Sequence, residues 1–387
     1  MKILFLSSLC STPLLPNLSP GNARILRALR AVADCRVIIP VPLFRVRRAD
    51  NEIPAIETEP DGSLVLHPRT FHVPGATRFL NAVFYTLSVA HLVRREVACF
   101  RPDVILAPWV FPDGTAAVAL GQATGVPVVV RAMGSDINQV AHMAGRRTQV
   151  RWTLRHAGRV VAVSRALGNA IAALGVPQEK IAVVPTGVES AIFYPHDRAL
   201  ARTTLGLAPG PLVLVAARLS PEKGLVHLLA AMSLARHPFR LVVVGDGAQR
   251  RELEQEARRR GLRDRVRFDG FQPEARMPLY YSAADLFCLP SLAEGWPDVL
   301  MESHACGCPA VASAVGGVPD IMALTCGAGL TVPPANPEAL ARALDEALTH
   351  TWDRPAIAQT MGGHTIAATA RRYLEVCQDA ISAKVPT

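Results

Sequence analysis

Glu294-Gly295-Trp296-Pro297-Asp298-Val299-Leu300-Met301-Glu302 sets two glutamates eight positions apart, across a turn and the first coils of a helix. Pro297 suits a first helical position, where no N–H is required, so the stretch reads as a loop entering a helix. Glu294 then stands in the loop and Glu302 on the helix. At about 1.5 Å of rise per residue the two lie at most roughly 12 Å apart. That reach suits a ligand with a hydroxylated ring at each end, since carboxylates accept hydrogen bonds from ring hydroxyls.

Upstream, Ala217-Arg218-Leu219-Ser220-Pro221-Glu222-Lys223-Gly224 follows the apolar run Leu212–Ala216, which reads as a strand. Loops beyond strand ends are where ligands collect in open α/β sheets. Arg218 and Lys223 there supply charge for a phosphate bridge. The N–H groups of Trp296, Asp298 and Val299, at the start of the helix, are further donors for phosphate oxygens, whereas Pro297 has none to give. Two rings joined by a diphosphate describe a nucleotide-sugar. The chain contains no D-x-D, so a metal-bridged diphosphate is not signalled, and protein cations and helix dipoles take that place by preorganised electrostatics.

Three elements in register, the E-x7-E stretch, the Arg218…Lys223 pair and the Gly316-Gly317-Val318-Pro319 segment, resemble the family-4 retaining glycosyltransferases. The likeness runs nearly end to end. Ala162-Val163-Ser164, Val184-Pro185-Thr186-Gly187-Val188-Glu189, Val244-Gly245-Asp246-Gly247 and Ala283-Ala284-Asp285 fall where that family has similar strings. Within it the chain looks most like bacterial teichuronic acid and exopolysaccharide enzymes, with weaker support from His67-Pro68-Arg69 and Pro112-Asp113-Gly114. The resemblance implies an α/β protein of GT-B architecture: two Rossmann-like domains facing one another across a cleft, acceptor bound mainly by the first and donor by the second. It also implies a last helix crossing back to the first domain.

Residue by residue, the resemblance gives Glu294 the donor-sugar hydroxyls and Glu302 the ribose. Arg218 and Lys223 stabilise the departing nucleoside diphosphate. Gly21, in Ser19-Pro20-Gly21-Asn22, matches the family's first-loop glycine beside the donor phosphate, although ordinary turn chemistry also explains a glycine there. Phe271 falls where the family holds the base. Asp136 matches an aspartate that orients or deprotonates the acceptor; an N-cap role competes with it. Met133 stands where many members have histidine, and it cannot donate a hydrogen bond. Asp298, an acid beside a diphosphate, is expected to turn its carboxylate outward, and His304 is read as a packed helix residue.

Bulk properties bound the rest. The 387 residues suit two domains of about 150–200 each, and a composition that is 50% hydrophobic but 5% aromatic fits Val- and Leu-rich parallel strands. Net charge is +9, and its distribution is uneven: residues 1–192 carry 21 basic against 12 acidic side chains, residues 193–387 carry 20 of each. Basic groups in the first half include Arg24, Arg27 and Arg30, Arg45-Val46-Arg47-Arg48, Arg94-Arg95, and Arg146-Arg147 with Arg151 and Arg155. Each alone reads as a solvated face; together they suggest attraction to anionic lipid, worth roughly 1 kcal/mol per side chain near a membrane. Nucleic acid is the rival partner, but no zinc spacing, RNA-binding signature or interleaved aromatic pattern accompanies the charge.

Eight cysteines without C-x-x-C spacing indicate reduced, mostly buried side chains rather than a disulfide framework or zinc site. The apolar run at Ile3–Leu6 is too short for a signal peptide and reads as a first strand. Gly114–Val130 is broken by Gly121, Gln122, Gly125 and Pro127, so no membrane span is expected. Alternating strand and helix signals place an acceptor-binding domain at 1–190, a nucleotide-sugar domain at 191–364 and a returning helix at 365–387, with a linker near 185–210.

The expectation is a cytoplasmic enzyme, peripheral on the inner face of the plasma membrane. It transfers a hexose-type sugar from a nucleotide-diphosphate sugar to a lipid-linked or growing saccharide acceptor with retention, using no metal and no cofactor beyond that co-substrate. A sugar-nucleotide epimerase and a non-catalytic scaffold of the same fold are the alternatives. A dinucleotide oxidoreductase is disfavoured, because Gly245-Asp246-Gly247 lacks the third glycine of that fingerprint.

Overall fold

The computed structural model describes residues 1–14, 19–43, 53–59, 62–71, 79–143, 145–325 and 327–383, apart from the side chains of Pro20 and His142. Arg45-Val46-Arg47-Arg48, Asp61, residues 15–18 of the Pro-rich loop, residues 77 and 78 of an expected helix, and Cys326 lie outside the described residues. The chain divides into two compact units, Met1–Thr186 with Ile366–Thr387, and Gly187–Thr365.

In chain order the first unit contributes β1 (Lys2–Leu6), β2 (Asp34–Ile38), β3 (Val41–Pro42), β4 (Ile56–Thr58), β5 (Leu64–Leu66), β6 (Arg69–Thr70), β7 (Val104–Ala107), β8 (Val128–Ala132), β9 (Arg159–Ala162) and β10 (Ile181–Val183). Eight of these form one sheet in the order β10-β9-β8-β7-β1-β2-β5-β4, while β3 pairs with β6. All pairings in the large sheet are parallel except β4 with β5. Ile3, Leu4, Phe5 and Leu6 are buried on both faces, as a parallel strand covered by helices on each side requires.

The second unit contributes β11 (Leu212–Ala216), β12 (Arg240–Val244), β13 (Val266–Gly270), β14 (Leu286–Leu289), β15 (Ala310–Ser313) and β16 (Gly329–Val332). They run parallel in the order β13-β12-β11-β14-β15-β16. This is the 3-2-1-4-5-6 Rossmann order. From β11 the chain winds outward through β12 and β13, and from β14 it winds the other way, so a switch point lies between the carboxyl ends of β11 and β14.

The last helix, Ile366–Ser382, belongs to the first unit and packs on the helix Pro20–Arg30. Ile366, Ala370, Tyr373, Cys377 and Ala380, at helical spacing, enter the same core cluster as Ile25, Leu26 and Leu29. Among the described residues no helix is long and apolar enough to cross a membrane.

Several expectations need correction. The first helix starts at Pro20 rather than Asn22, because proline at the first helical position needs no N–H and presets φ; Gly21 therefore sits in the first turn, not ahead of it. Asp298 opens the helix Asp298–Ala305 and Pro297 takes the capping position instead. The proposed linker at 185–210 contains a helix, Arg198–Thr204, capped by the Asp197 side chain and tied by Arg202 to Asp285 at 2.7 Å. The charged helix Arg147–His156 and strand β16 escaped the sequence reading: the former has few apolar positions, and β16 opens on a glycine.

Candidate active site

At the switch point of the second unit the loop after β11 runs through a short turn, Pro221–Lys223, into the helix Leu225–Leu234. The loop after β14 runs from Pro290 to the helix Asp298–Ala305. The two are joined directly. Lys223 Nζ donates to Glu294 Oε1 at 2.6 Å, and Ser291 Oγ donates to the same oxygen at 2.7 Å. The Leu292 N–H donates to the Glu222 carbonyl at 2.8 Å. Arg218 Nη2 donates to Glu222 Oε1 at 2.7 Å, where the Ser220 hydroxyl also donates at 2.7 Å. The Ser220 hydroxyl first, with Arg218 adding to it, holds the Glu222 carboxyl down to about 2.

Glycines let neighbouring loops close on this pair. Gly316 has φ +54, and a Cβ there would overlap the carbonyl oxygen of Glu294; next to it the Gly317 N–H donates to Gly295 O at 3.0 Å. Gly245, at φ +124, lies equally close to the Ala217 carbonyl. The Gly-Gly-Val-Pro segment and the Gly245-Asp246-Gly247 loop thus buttress the glutamate loop and the Arg218 loop respectively. Leu219 N donates to Asp246 O at 2.9 Å, completing the second contact.

Glu302 lies one helical turn past Asp298 and is buried; the Tyr281 hydroxyl donates to its Oε2 at 2.9 Å. Trp296 is buried, and Asp298 and Val299 are half-buried in the first turn, ahead of the first backbone bond of that helix, Leu300 N to Pro297 O at 3.0 Å. Phe271 follows Gly270 beyond β13 and is 73% exposed. Arg218, Lys223, Glu294, Glu302, Trp296, Asp298, Val299 and Phe271 all belong to this unit, at the carboxyl ends of its strands.

Gly21 and Asp136 belong to the first unit. Asp136 is fully buried; its oxygens accept from the N–H groups of Met133, Gly134 and Ile137 at 2.9–3.2 Å and from Val110 at 3.4 Å. Burial raises its pKa and those amides oppose the rise. A carboxylate so surrounded shapes the Met133-Gly134 turn.

Three groups, Glu222, Asp113 and Arg131, were given no role from the sequence, and His304, read there as a packed helix residue, is indeed buried. Glu222 lay inside the quoted Arg218…Lys223 string, and a third charge between two cations was the available signal. Asp113, in the helical turn Val110–Gly114 that follows β7, is buried and accepts from Ser8 N at 2.7 Å and Ser8 Oγ at 2.8 Å, linking that turn to the loop after β1; burial lifts its pKa to about 6 despite the Ser8 bonds. Arg131 is buried with neutral partners, Asn22 Oδ1 at 2.6 Å and Thr186 Oγ1 at 2.8 Å. His304 is buried with both ring nitrogens lacking a partner among the described residues, and burial drives its pKa down to about 3. Among the described residues no group of three or more His, Cys, Asp or Glu is placed to hold a metal ion.

Residues 22–191 match the family profile described as Glycosyltransferase Family 4, and residues 201–360 match that of Glycosyl transferases group 1. The chain carries these two glycosyltransferase domains, in that order. The D-inositol 3-phosphate glycosyltransferase of Acidothermus cellulolyticus is 39% identical over 49% of this chain and 46% of its own length. The chain thus spans under half the length of that relative. The putative teichuronic acid biosynthesis glycosyltransferase TuaC of Bacillus subtilis is 27% identical over 89% of this chain and 88% of its own. Among solved structures, Anabaena HepE in complex with UDP superposes with a TM-score of 0.74 at 22% identity, covering 97% of this chain and 99% of that one. The fold is accordingly GT-B, with two Rossmann-like halves.

Proposed function

We propose that this glycosyltransferase moves a hexose-type sugar from a nucleotide-diphosphate sugar to a lipid-linked or growing saccharide acceptor, with retention and without a metal, in cell-surface polysaccharide synthesis. The observation that carries this reading is the convergence of Lys223 and Glu294, at 2.6 Å, on the switch point of the second unit, with Arg218 on the adjoining loop. A diphosphate placed there meets a guanidinium, an ammonium and the amides of Asp298 and Val299. Glu294 positions the transferred ring, Glu302 holds the ribose, and the exposed face of Phe271 stacks on the base.

The transfer forms one bond from the anomeric carbon to the acceptor oxygen and breaks one to the diphosphate oxygen, on the same face of the ring. The acceptor proton passes to the leaving phosphate oxygen, and Arg218 and Lys223 balance the charge that develops there. This route needs no nucleophilic carboxylate at the anomeric carbon, unlike the double displacement of retaining hydrolases. The likeness to HepE, solved with UDP, and to TuaC, named for teichuronic acid synthesis, supports the donor class and the polymer setting. The basic bias of residues 1–192 supports peripheral attachment to the inner face of an anionic membrane, in the cytoplasm.

A thermal-shift panel of UDP-, GDP- and ADP-sugars, followed by transfer assays with lipid-linked acceptors, tests the proposal. Stabilisation by one nucleotide class and product with retained anomeric configuration are expected. Donor turnover without acceptor points instead to an epimerase, and a glycosyl group trapped on a carboxylate overturns the same-face route.

A further inference from the structure

Both cations of the site are already engaged by carboxylates: Lys223 by Glu294 at 2.6 Å, and Arg218 by Glu222 at 2.7 Å. The two pairs differ. Glu294 comes from the opposite loop and its side chain is 8% exposed, whereas Glu222 lies four residues from Arg218 in the same loop and is the hydrogen-bonding partner of a guanidinium that is 73% exposed. Glu222 itself is fixed. Its side chain takes the Ser220 hydroxyl at 2.7 Å, and its carbonyl takes Leu292 N at 2.8 Å, so residue 222 is pinned between the loops that carry the two glutamate–cation pairs.

We propose that Glu222 is a positioning residue that holds the place of the donor diphosphate: it keeps Arg218 at the phosphate position in the free protein, yields it when the diphosphate arrives, and recaptures it when the nucleoside diphosphate leaves. An exposed ion pair within one turn of chain is worth little, about 0.2–1 kcal/mol, so a dianion displaces the carboxylate readily. Because Glu222 stays pinned after it lets go, it stands ready to retake Arg218 as the nucleoside diphosphate departs. Pre-orientation of Arg218 and easy product departure are thus supplied by the same side chain. The inference rests on the nucleotide-sugar reading of this site.

Calorimetric titration of the full-length wild type, Glu222→Gln, Arg218→Ala and the double variant with UDP, ADP and GDP, and with the matching nucleosides, tests it. Glutamine keeps the acceptor for Ser220 and removes the charge, and melting temperatures check that each variant is folded. The nucleoside diphosphate that binds wild type is expected to bind Glu222→Gln roughly two- to fivefold tighter, the span of an exposed ion pair, with nucleoside affinity unchanged. In the Arg218→Ala background that gain is expected to shrink to less than half. Unchanged or weaker binding by Glu222→Gln overturns the inference alone, as does a gain that survives intact without Arg218. If none of the three nucleoside diphosphates binds wild type, the glycosyl-transfer reading falls and this inference with it.

Discussion

Lys223 and Glu294 are unequally placed in solvent, their side chains 21% and 8% exposed, and the lysine is what makes the buried carboxylate tolerable in the free protein. Lys223→Ala removes both that partner and a charge facing the leaving group. Its kcat/KM is expected to fall by about 10²–10³, the loss typical of one preorganised donor, while binding of the bare nucleoside holds. Lys223→Arg should recover part of the loss; full activity in Lys223→Ala, read in a transfer assay at saturating acceptor, refutes the role. His304 gives a second prediction at this scale. Its pKa near 3 in the folded chain against about 6.5 unfolded means that the unfolded chain takes up a proton which the folded one refuses. The contribution is therefore complete above pH 6.5 and is lost as pH falls, by up to about 1.4 kcal/mol per unit until pH 3. His304→Leu should flatten the decline of melting temperature between pH 6.5 and 4, and should not lower it at pH 7, since the unpaired ring nitrogens go too. An unaltered slope would show that another group governs the acid limb.

Turns rather than strands carry the precision of the site. Gly316→Ala asks a side chain to occupy φ +54 and the space of the Glu294 carbonyl, so the Gly316 turn and the glutamate loop that Lys223 contacts must move apart. We expect a stability loss of about 1–3 kcal/mol and at least tenfold weaker nucleotide binding, measured by melting and calorimetry, with Gly362→Ala, whose Cβ would meet open space, as the harmless control. Elements of this kind also show what was legible in the sequence. Runs such as Leu212–Ala216 and Leu286–Leu289 were readable to the residue, because a strand buried on both faces is continuously apolar and bounded by turn residues. The motif residues Arg218, Lys223 and Glu294 were readable because their spacing is tied to strand–loop–helix junctions. The helix Arg198–Thr204 was hidden: its place is fixed by Arg202 reaching Asp285, 83 residues on, and not by any local apolar period. Glu222 was hidden for the opposite reason, since its meaning comes from which cation it touches, and spacing alone leaves Arg218 and Lys223 equivalent.

The excess positive charge belongs to the first unit, but only part of it faces water. Of the three arginines on the first helix, Arg24 is buried, Arg30 pairs with Glu59, and Arg27 is exposed. Arg151 and Arg155 donate to the carbonyls of Leu174 and Gly175. Arg94, Arg95 and Arg147 remain exposed, and Arg94 continues a stripe begun by Val83 and Leu87, 52% and 68% exposed, on the helix Asn81–Cys99. Flotation with vesicles rich in phosphatidylglycerol should therefore retain the protein at 50 mM salt (roughly a 14 Å screening length) and release it near 0.5 M, where charges are screened within about 4 Å. Neutral vesicles should not retain it, and Arg94→Glu with Arg95→Glu should weaken the retention; equal flotation on both lipids removes the membrane proposal. The return of Ile366–Ser382 to the first unit has a further outcome, for synthesis on the ribosome. The nascent first half lacks Tyr373 and its neighbours until the segment Ile366–Ser382 has been made, whereas the second half is whole as soon as Gly187–Thr365 clears the exit tunnel. Gly187–Thr365 is thus the earlier of the two to mature, and the amino-terminal half can close its hydrophobic interior only after Ile366–Ser382 has been synthesised.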